Sequence, residues 1–191
     1  MVVEVQSDKP AAILEATLDL IAERGFHNTP VSQIARRSGV SAGIIYHYFE
    51  NKDDLIMALY RQVKADFACA ITAGDPLALP FPEYLERIWL NAYHYYAGHP
   101  QETLFLEQFE NSPYQTAVDE AQYDDTMRAL LALVDRGIAE GQIRPMSPGV
   151  LQDFTLNVAM SLARRTIREG QTFSERELAD YARACLRAVA A

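Results

Sequence analysis

Apolar residues recur along the chain at helical spacing, and no segment shows the period-two alternation of a half-buried strand. Leu14, Thr17 or Leu18, and Ile21 mark one face of a helix from about Pro10 to Arg24, with Pro10 suited to its first turn and Gly25 to a left-handed stop. Phe26 is expected to pack back on that helix. A short second helix fits Val31 to Ser38, with Ile34 and Ala35 inward, Ser32, Gln33, Arg36 and Arg37 outward, and Gly39 at its end. Ser41 is a good N-cap for a third helix over Ala42 to Tyr48, and Asn51 marks the break before a long fourth that starts near Lys52 or Asp53. Leu55, Leu59, Val63 and Phe67 lie near one face of this fourth helix, which is expected to end near Gly74. The proline-rich stretch from Asp75 to Pro82 reads as an interhelical loop, and further helices are expected at about 82–98, 101–111, 116–140, 147–169 and 174–190. The pattern predicts an all-α chain of about nine helices.

The length of 191 residues lets such a chain bury roughly 70% of its unfolded surface, so it needs no metal or disulfide to fold. A composition of 49% hydrophobic and 23% charged residues excludes disordered and fibrous classes. Cys69 and Cys185 lack neighbours at metal-ligand spacing and read as reduced, buried thiols of a cytoplasmic protein. There is no signal-peptide pattern and no run of 18 apolar residues, so no membrane partner is expected. The histidines His27, His47, His94 and His99 form no metal spacing, and the chain has no glycine-rich phosphate loop or nucleophile motif. An enzyme is therefore not expected, nor is a cofactor or a metal.

The net charge of −9 changes meaning once it is divided along the chain. Residues 1–64 hold seven Lys/Arg against eight Asp/Glu, whereas residues 65–191 hold ten against eighteen. A near-neutral N-terminal part can still grip phosphate if its cations and amides share a face, because only contacting charges release counterions.

Two short helices joined by a Gly-containing turn, the second opened by a Ser cap, form the unit that places a helix in the DNA major groove. That bare pattern occurs in many proteins that never touch nucleic acid. The run from Phe26 to Leu55, FHNTPVSQIARRSGVSAGIIYHYFENKDDL, is more specific and resembles the N-terminal domain of TetR/AcrR-family repressors almost position by position. The matching positions include Gly25, Thr29, Val31, Gly39-Val40-Ser41, Gly43, Ile45-Tyr46, Tyr48-Phe49 and Asn51-Lys52. Read from the residues alone, Ile34, Val40, Ile45, Phe49 and Leu55 form a compact apolar set that locks three helices together, while Gly43 leaves room for close approach to DNA.

Residues 1–53 are thus expected to form a helix-turn-helix DNA-binding domain and residues 54–191 a ligand-binding and dimerisation domain. The partners implied are a double-stranded DNA operator, a second copy of the chain and a small-molecule effector. Tyr46, Tyr48 and Lys52, with free amides at the fourth helix, are expected to clamp phosphates. Simple core packing is the alternative for the two tyrosines. Base reading would fall to Ala42, Ile44 and His47, with Ser32 and Gln33 contributing, and Thr29, Ser41 and Gly43 complete the expected surface. Because this helix has few hydrogen-bonding readers, DNA shape is expected to choose part of the operator. Pro30 departs from the family pattern of a hydroxyl residue, with Thr29 or Ser32 in a position to substitute.

Beyond the fourth helix the resemblance is architectural only. Large side chains concentrate in residues 84–134, including Tyr84, Tyr95, Tyr96, Tyr114 and Tyr123. Tyr60, Trp89, Tyr93, Phe105, Phe109 and Met127 are the candidate walls of an apolar ligand cavity, although aromatic stripes at helical spacing are more often ordinary core. The stripes Leu151, Phe154, Val158, Leu162 and Leu178, Tyr181 or Ala182, Cys185, Val189 suit the pairing of two helices from each subunit that the resemblance implies. A stripe of this kind equally suits its own subunit's core.

Overall fold

The computed structural model describes residues 8–118 and 125–191. Its α-helices are α1 (Lys9–Arg24), α2 (Val31–Ser38), α3 (Ala42–Tyr48), α4 (Lys52–Ile71), α5 (Glu83–Gly98), α6 (Pro100–Glu110), α7 (Asp125–Ala139), α8 (Pro148–Phe154), α9 (Leu156–Glu169) and α10 (Glu175–Val189). α8 and α9 are the one helix expected over 147–169, interrupted at Thr155, and counted together they give, among the described residues, the nine helices predicted. The Thr155 hydroxyl donates to the Leu151 carbonyl at 2.6 Å, the back-bond to the preceding turn that bends helices. Among the described residues, β-pairing is limited to one antiparallel bridge between Ile143 and Ala190.

The helices fall into two compact units, residues 8–63 with 104–118 and residues 64–103 with 125–191, so the division lies inside α4 and α6. In the first unit Ile13, Ala16, Leu20, Ile34, Ile45, Phe49 and Leu55 make one buried cluster, with Val31, Ala35 and Val40 packed against it. This is the apolar set expected to lock three helices, each large aliphatic member contributing about 1.5–3 kcal/mol when fully buried. The buried face of α1 is turned from expectation: Ile13, Ala16, Thr17, Leu20 and Ile21 point inward, while Leu14 and Leu18 are only half-buried. Gly25 has φ 78 and ψ 171, so it stops α1 in a conformation open essentially to glycine alone and not in the left-handed helical one. The Phe26 ring lies 6.0 Å from that of Phe105 and 5.2 Å from that of Tyr114, within a cluster where Tyr60 stacks on Phe109 at 4.0 Å.

The second unit is built on α5, which packs mainly on α9 and α10. Its aromatic stripe is core: Tyr84, Trp89, Tyr93, Tyr95 and Tyr96 are all buried. Trp89 Nε1 donates to the Thr155 carbonyl at 3.1 Å, and the Tyr93 and Thr166 hydroxyls are 3.0 Å apart, so α5 grips α9 at its start and again further along. Ser174 caps α10 with a reciprocal Glu177 bond. Cys185 is buried, and that burial raises its thiol pKa, whereas Cys69 is exposed, contrary to expectation. Tyr123 lies outside the described residues.

Candidate nucleic-acid interface and ligand cavity

The turn between α2 and α3 is set locally. Gly39 ends α2 in the left-handed region, and Ser41, extended at φ −74 and ψ 154, accepts the Ile44 amide at 3.3 Å. α3 is seven residues long and held by one buried side chain of its own, Ile45, followed by Phe49 at its C-cap. With that side inward, Ala42, Gly43, Tyr46 and His47 occupy the outward arc. Tyr46 is 53% exposed and Tyr48 44%, so core packing does not account for either ring. The His47 ring stands edge-on to Tyr48 at 5.1 Å, and Ile44 is half-buried at the margin of the arc. A Cβ placed on Gly43 would meet only the Ser41 Oγ, at 3.9 Å, so packing within the chain does not require glycine there.

Other expected contact residues have work inside the unit. Thr29 is fully buried, and its hydroxyl donates to the Gly25 carbonyl at 2.9 Å. It braces the α1–α2 turn and is corrected from a DNA contact to a packing residue. Pro30 is the N-cap of α2, where its carbonyl receives the Gln33 amide at 2.9 Å. Ser32 is exposed, and Gln33 accepts a 3.0 Å hydrogen bond from Arg24. Arg24 is a cation that sequence reasoning left out, because its nearness to α2 arises only when α1 packs there. Arg37 is held by Glu23 and Asp19, which raise its pKa, and so braces α2 against α1.

Lys52 donates to the Phe26 carbonyl at 2.6 Å, and partial burial lowers its pKa against the opposing pull of Asp53. The start of α4 is less free than expected. Asn51 accepts the Asp54 amide at 2.9 Å, Asp54 accepts the Glu50 amide at 3.1 Å, and Asp53 accepts the Tyr114 hydroxyl at 2.8 Å. With Asp53 and Asp54 in its first turn, this helix end carries negative charge beside Lys52.

A cavity of about 140 Å³ lies in the second unit, walled chiefly by apolar side chains of α4, α5, α7, α8 and α9. Of the six residues expected to line a cavity, Trp89 and Met127 line this one. Tyr93 is engaged with Thr166, and Tyr60, Phe105 and Phe109 form the aromatic cluster of the first unit. Helical spacing identifies a face without saying which neighbour covers it. The walls sequence reasoning missed, among them Phe67, Ile71, Leu131 and Val134, read as ordinary apolar positions. Among the described residues no group of three His, Cys, Asp or Glu is placed to hold a metal ion, and no helix is long and apolar enough to cross a membrane.

Leu151, Leu178, Ala182, Cys185 and Val189 were expected at a subunit contact, but they are buried in their own subunit. Phe154 at 51% and Tyr181 at 38% remain exposed, and Val158 and Leu162 half-buried. Val158, Leu162 and Tyr181 border one open groove with Arg165 and Phe173.

The outward arc of α3, carried by a capped helix pair, defines a helix-turn-helix DNA-binding protein. Residues 13–59 match the profile described as bacterial regulatory proteins, tetR family, and residues 80–190 match the tetracyclin repressor-like C-terminal domain. The chain belongs to the TetR family and is a DNA-binding transcriptional regulator. It is similar to a TetR family transcription regulator from Marinobacter aquaeolei VT8, with TM-score 0.84 and 25% identity over 95% of both chains. The TetR-family regulator HI0893 from Haemophilus influenzae shares the fold, with TM-score 0.77 and 22% identity over 98% of this chain and all of that one. The transcriptional regulator BetI of Escherichia coli is 42% identical over 67 residues, a match that spans 35% of this chain and 34% of BetI.

Proposed function

We propose that the chain is a repressor that binds a palindromic operator as a homodimer and is released when a small molecule enters the cavity of its second unit. The outward face of α3 carries this reading. Tyr46 and Tyr48 offer hydroxyls to phosphates, Ala42 and Ile44 offer apolar contact to thymine methyls, and His47 offers a ring nitrogen to a base edge. The open space at Gly43 supports it, because glycine there serves close approach from outside the chain.

Phe154, Val158, Leu162 and Tyr181 are the face proposed for a second copy, replacing the buried members of the two expected stripes. A two-fold axis then sets two copies of α3 on half-sites about one helical turn apart or a multiple of it. The same α4 bears Lys52 near its start and Phe67 and Ile71 in the cavity wall, so a guest pressing on its C-terminal half acts on an element of the DNA-binding head. A ligand favouring the non-operator state by about 1–3 kcal/mol weakens DNA binding roughly 5- to 150-fold.

The test is fluorescence anisotropy with duplexes from upstream of the chain's own gene, at several salt concentrations. Tight, salt-dependent and sequence-selective binding is expected. Equal affinity for that DNA and for random duplex would remove the operator-specific reading, and no affinity for either would leave a helical carrier whose head is unused.

A further inference from the structure

The cavity in the second unit is small, and the polar groups of its lining are already engaged. Its volume of about 140 Å³ is close to the roughly 150 Å³ of an apolar protein cavity that stays dry and holds one benzene molecule. Phe67, Ile71, Leu131, Val134, Leu156 and Leu186 give it apolar walls, and the described residues bring to it only Lys64, Gln152, Thr155 and the Trp89 ring nitrogen as polar groups. Trp89 Nε1 donates to the Thr155 carbonyl, the Thr155 hydroxyl donates to the Leu151 carbonyl, and Gln152 Nε2 donates to Asn157 Oδ1 at 3.3 Å. The Lys64 ammonium stands over the Phe67 ring, 5.3 Å from its centroid, so an anionic guest would have to draw it off that ring to be paired. Among the described residues no buried side-chain nitrogen or oxygen lacks a hydrogen-bond partner. A guest that brings a hydroxyl therefore loses that group's water without gaining a bond, and a charged guest loses more.

We propose that the guest is an uncharged aromatic hydrocarbon of about one ring, held by apolar contact alone. A ring in this space supplies the dispersion contacts that an unfilled void forfeits. The Met127 thioether in the wall favours an aromatic partner, since sulfur makes good contact with ring edges. That this guest acts at DNA rests on the regulatory reading above; its binding chemistry does not.

The full-length protein is titrated calorimetrically with toluene, phenol, sodium benzoate, benzylammonium chloride and naphthalene. Toluene is expected to saturate one site and to bind roughly ten- to a hundredfold more tightly than phenol, its hydroxyl counterpart, with benzoate and benzylammonium weaker still. Trp89, the chain's one tryptophan, stands in the cavity wall, so a fluorescence change that saturates with toluene locates the guest there. Leu131→Phe and Val134→Phe each add bulk to the lining at a half-buried position. Loss of toluene binding is expected in a variant that keeps its helicity. Phenol, benzoate or naphthalene binding as tightly as toluene, no saturable toluene binding, or full toluene affinity in both variants would each overturn the proposal. Anisotropy of bound DNA with saturating toluene separates the two readings. A filled cavity with unchanged DNA affinity would uphold the ligand chemistry and overturn the effector role.

Discussion

The Lys52 ammonium donates a 2.6 Å hydrogen bond to the backbone carbonyl of Phe26, tying the start of α4 to the turn that follows α1. The cation expected to touch only phosphate is therefore also a brace of the head, and its removal acts twice. Lys52→Ala is expected to cost about 1 kcal/mol of stability, a hydrogen-bond loss discounted for the half-exposed site. It should weaken binding to all sequences about equally and reduce the salt slope by roughly 1. Thermal unfolding beside anisotropy at several salt concentrations checks both. An unchanged slope with lowered stability would make Lys52 a brace alone.

Tyr114 donates to Asp53 at 2.8 Å, and its pKa is pushed up to about 12, first by burial and then by the hydrogen bond to that carboxylate. A tyrosine whose folded pKa lies above its ordinary value of 10 holds its proton more firmly when folded. The folded state then binds more protons than the unfolded one between those limits, so stability falls as pH rises through them. The contribution is whole below pH 10 and lost toward pH 12. Tyr114→Phe is expected to flatten that alkaline fall, measured as denaturation midpoints against pH, with little change in the pH dependence near neutrality.

The head was legible because its determinants are local. Gly39, Ser41 and the Ile34–Ile45–Phe49–Leu55 set act over a few residues, so periodicity and capping chemistry were enough to place α2 and α3. Thr29 was misplaced for a tertiary reason: a hydroxyl at a helix entrance reads the same whether it faces phosphate or the Gly25 carbonyl. The cavity was less legible still. Tyr60 and Phe109 stack on each other in one unit while Trp89 and Met127 line a void in the other, and nothing in i, i+4 spacing separates a packed ring from a ring beside empty space. The last three helices show the same limit, since the stripe containing Leu178, Cys185 and Val189 was a real apolar face whose partner proved to be its own subunit.

Phe154 at 51% exposure and Tyr181 at 38% are large rings on the face proposed for a second copy. Because both are exposed, a charged substitution there leaves the subunit's own core intact. Phe154→Arg is expected to shift the chain from dimer to monomer in sedimentation velocity with little change in helicity. Operator affinity should fall with it, since one head alone holds half a site. An intact dimer in this variant would place the contact elsewhere.

Gly43 separates the needs of folding from those of DNA. Its Cβ position is open, and it sits inside α3, where alanine is intrinsically favoured over glycine by about 0.8–1.0 kcal/mol. If folding were the only constraint, alanine would be the better residue. Gly43→Ala is expected to leave the melting temperature unchanged or raise it, while operator affinity drops on the order of tenfold, equivalent to about 1.4 kcal/mol. The loss should appear on specific and random duplex alike, because a methyl group that holds the helix off the groove does not depend on which base lies beneath it. Anisotropy titrations on both duplexes measure the two affinities, and differential scanning calorimetry measures the stability. Undiminished DNA binding by the alanine variant would mean that α3 does not approach a duplex through Gly43, and the outward arc of Ala42, Tyr46 and His47 would lose its assigned role.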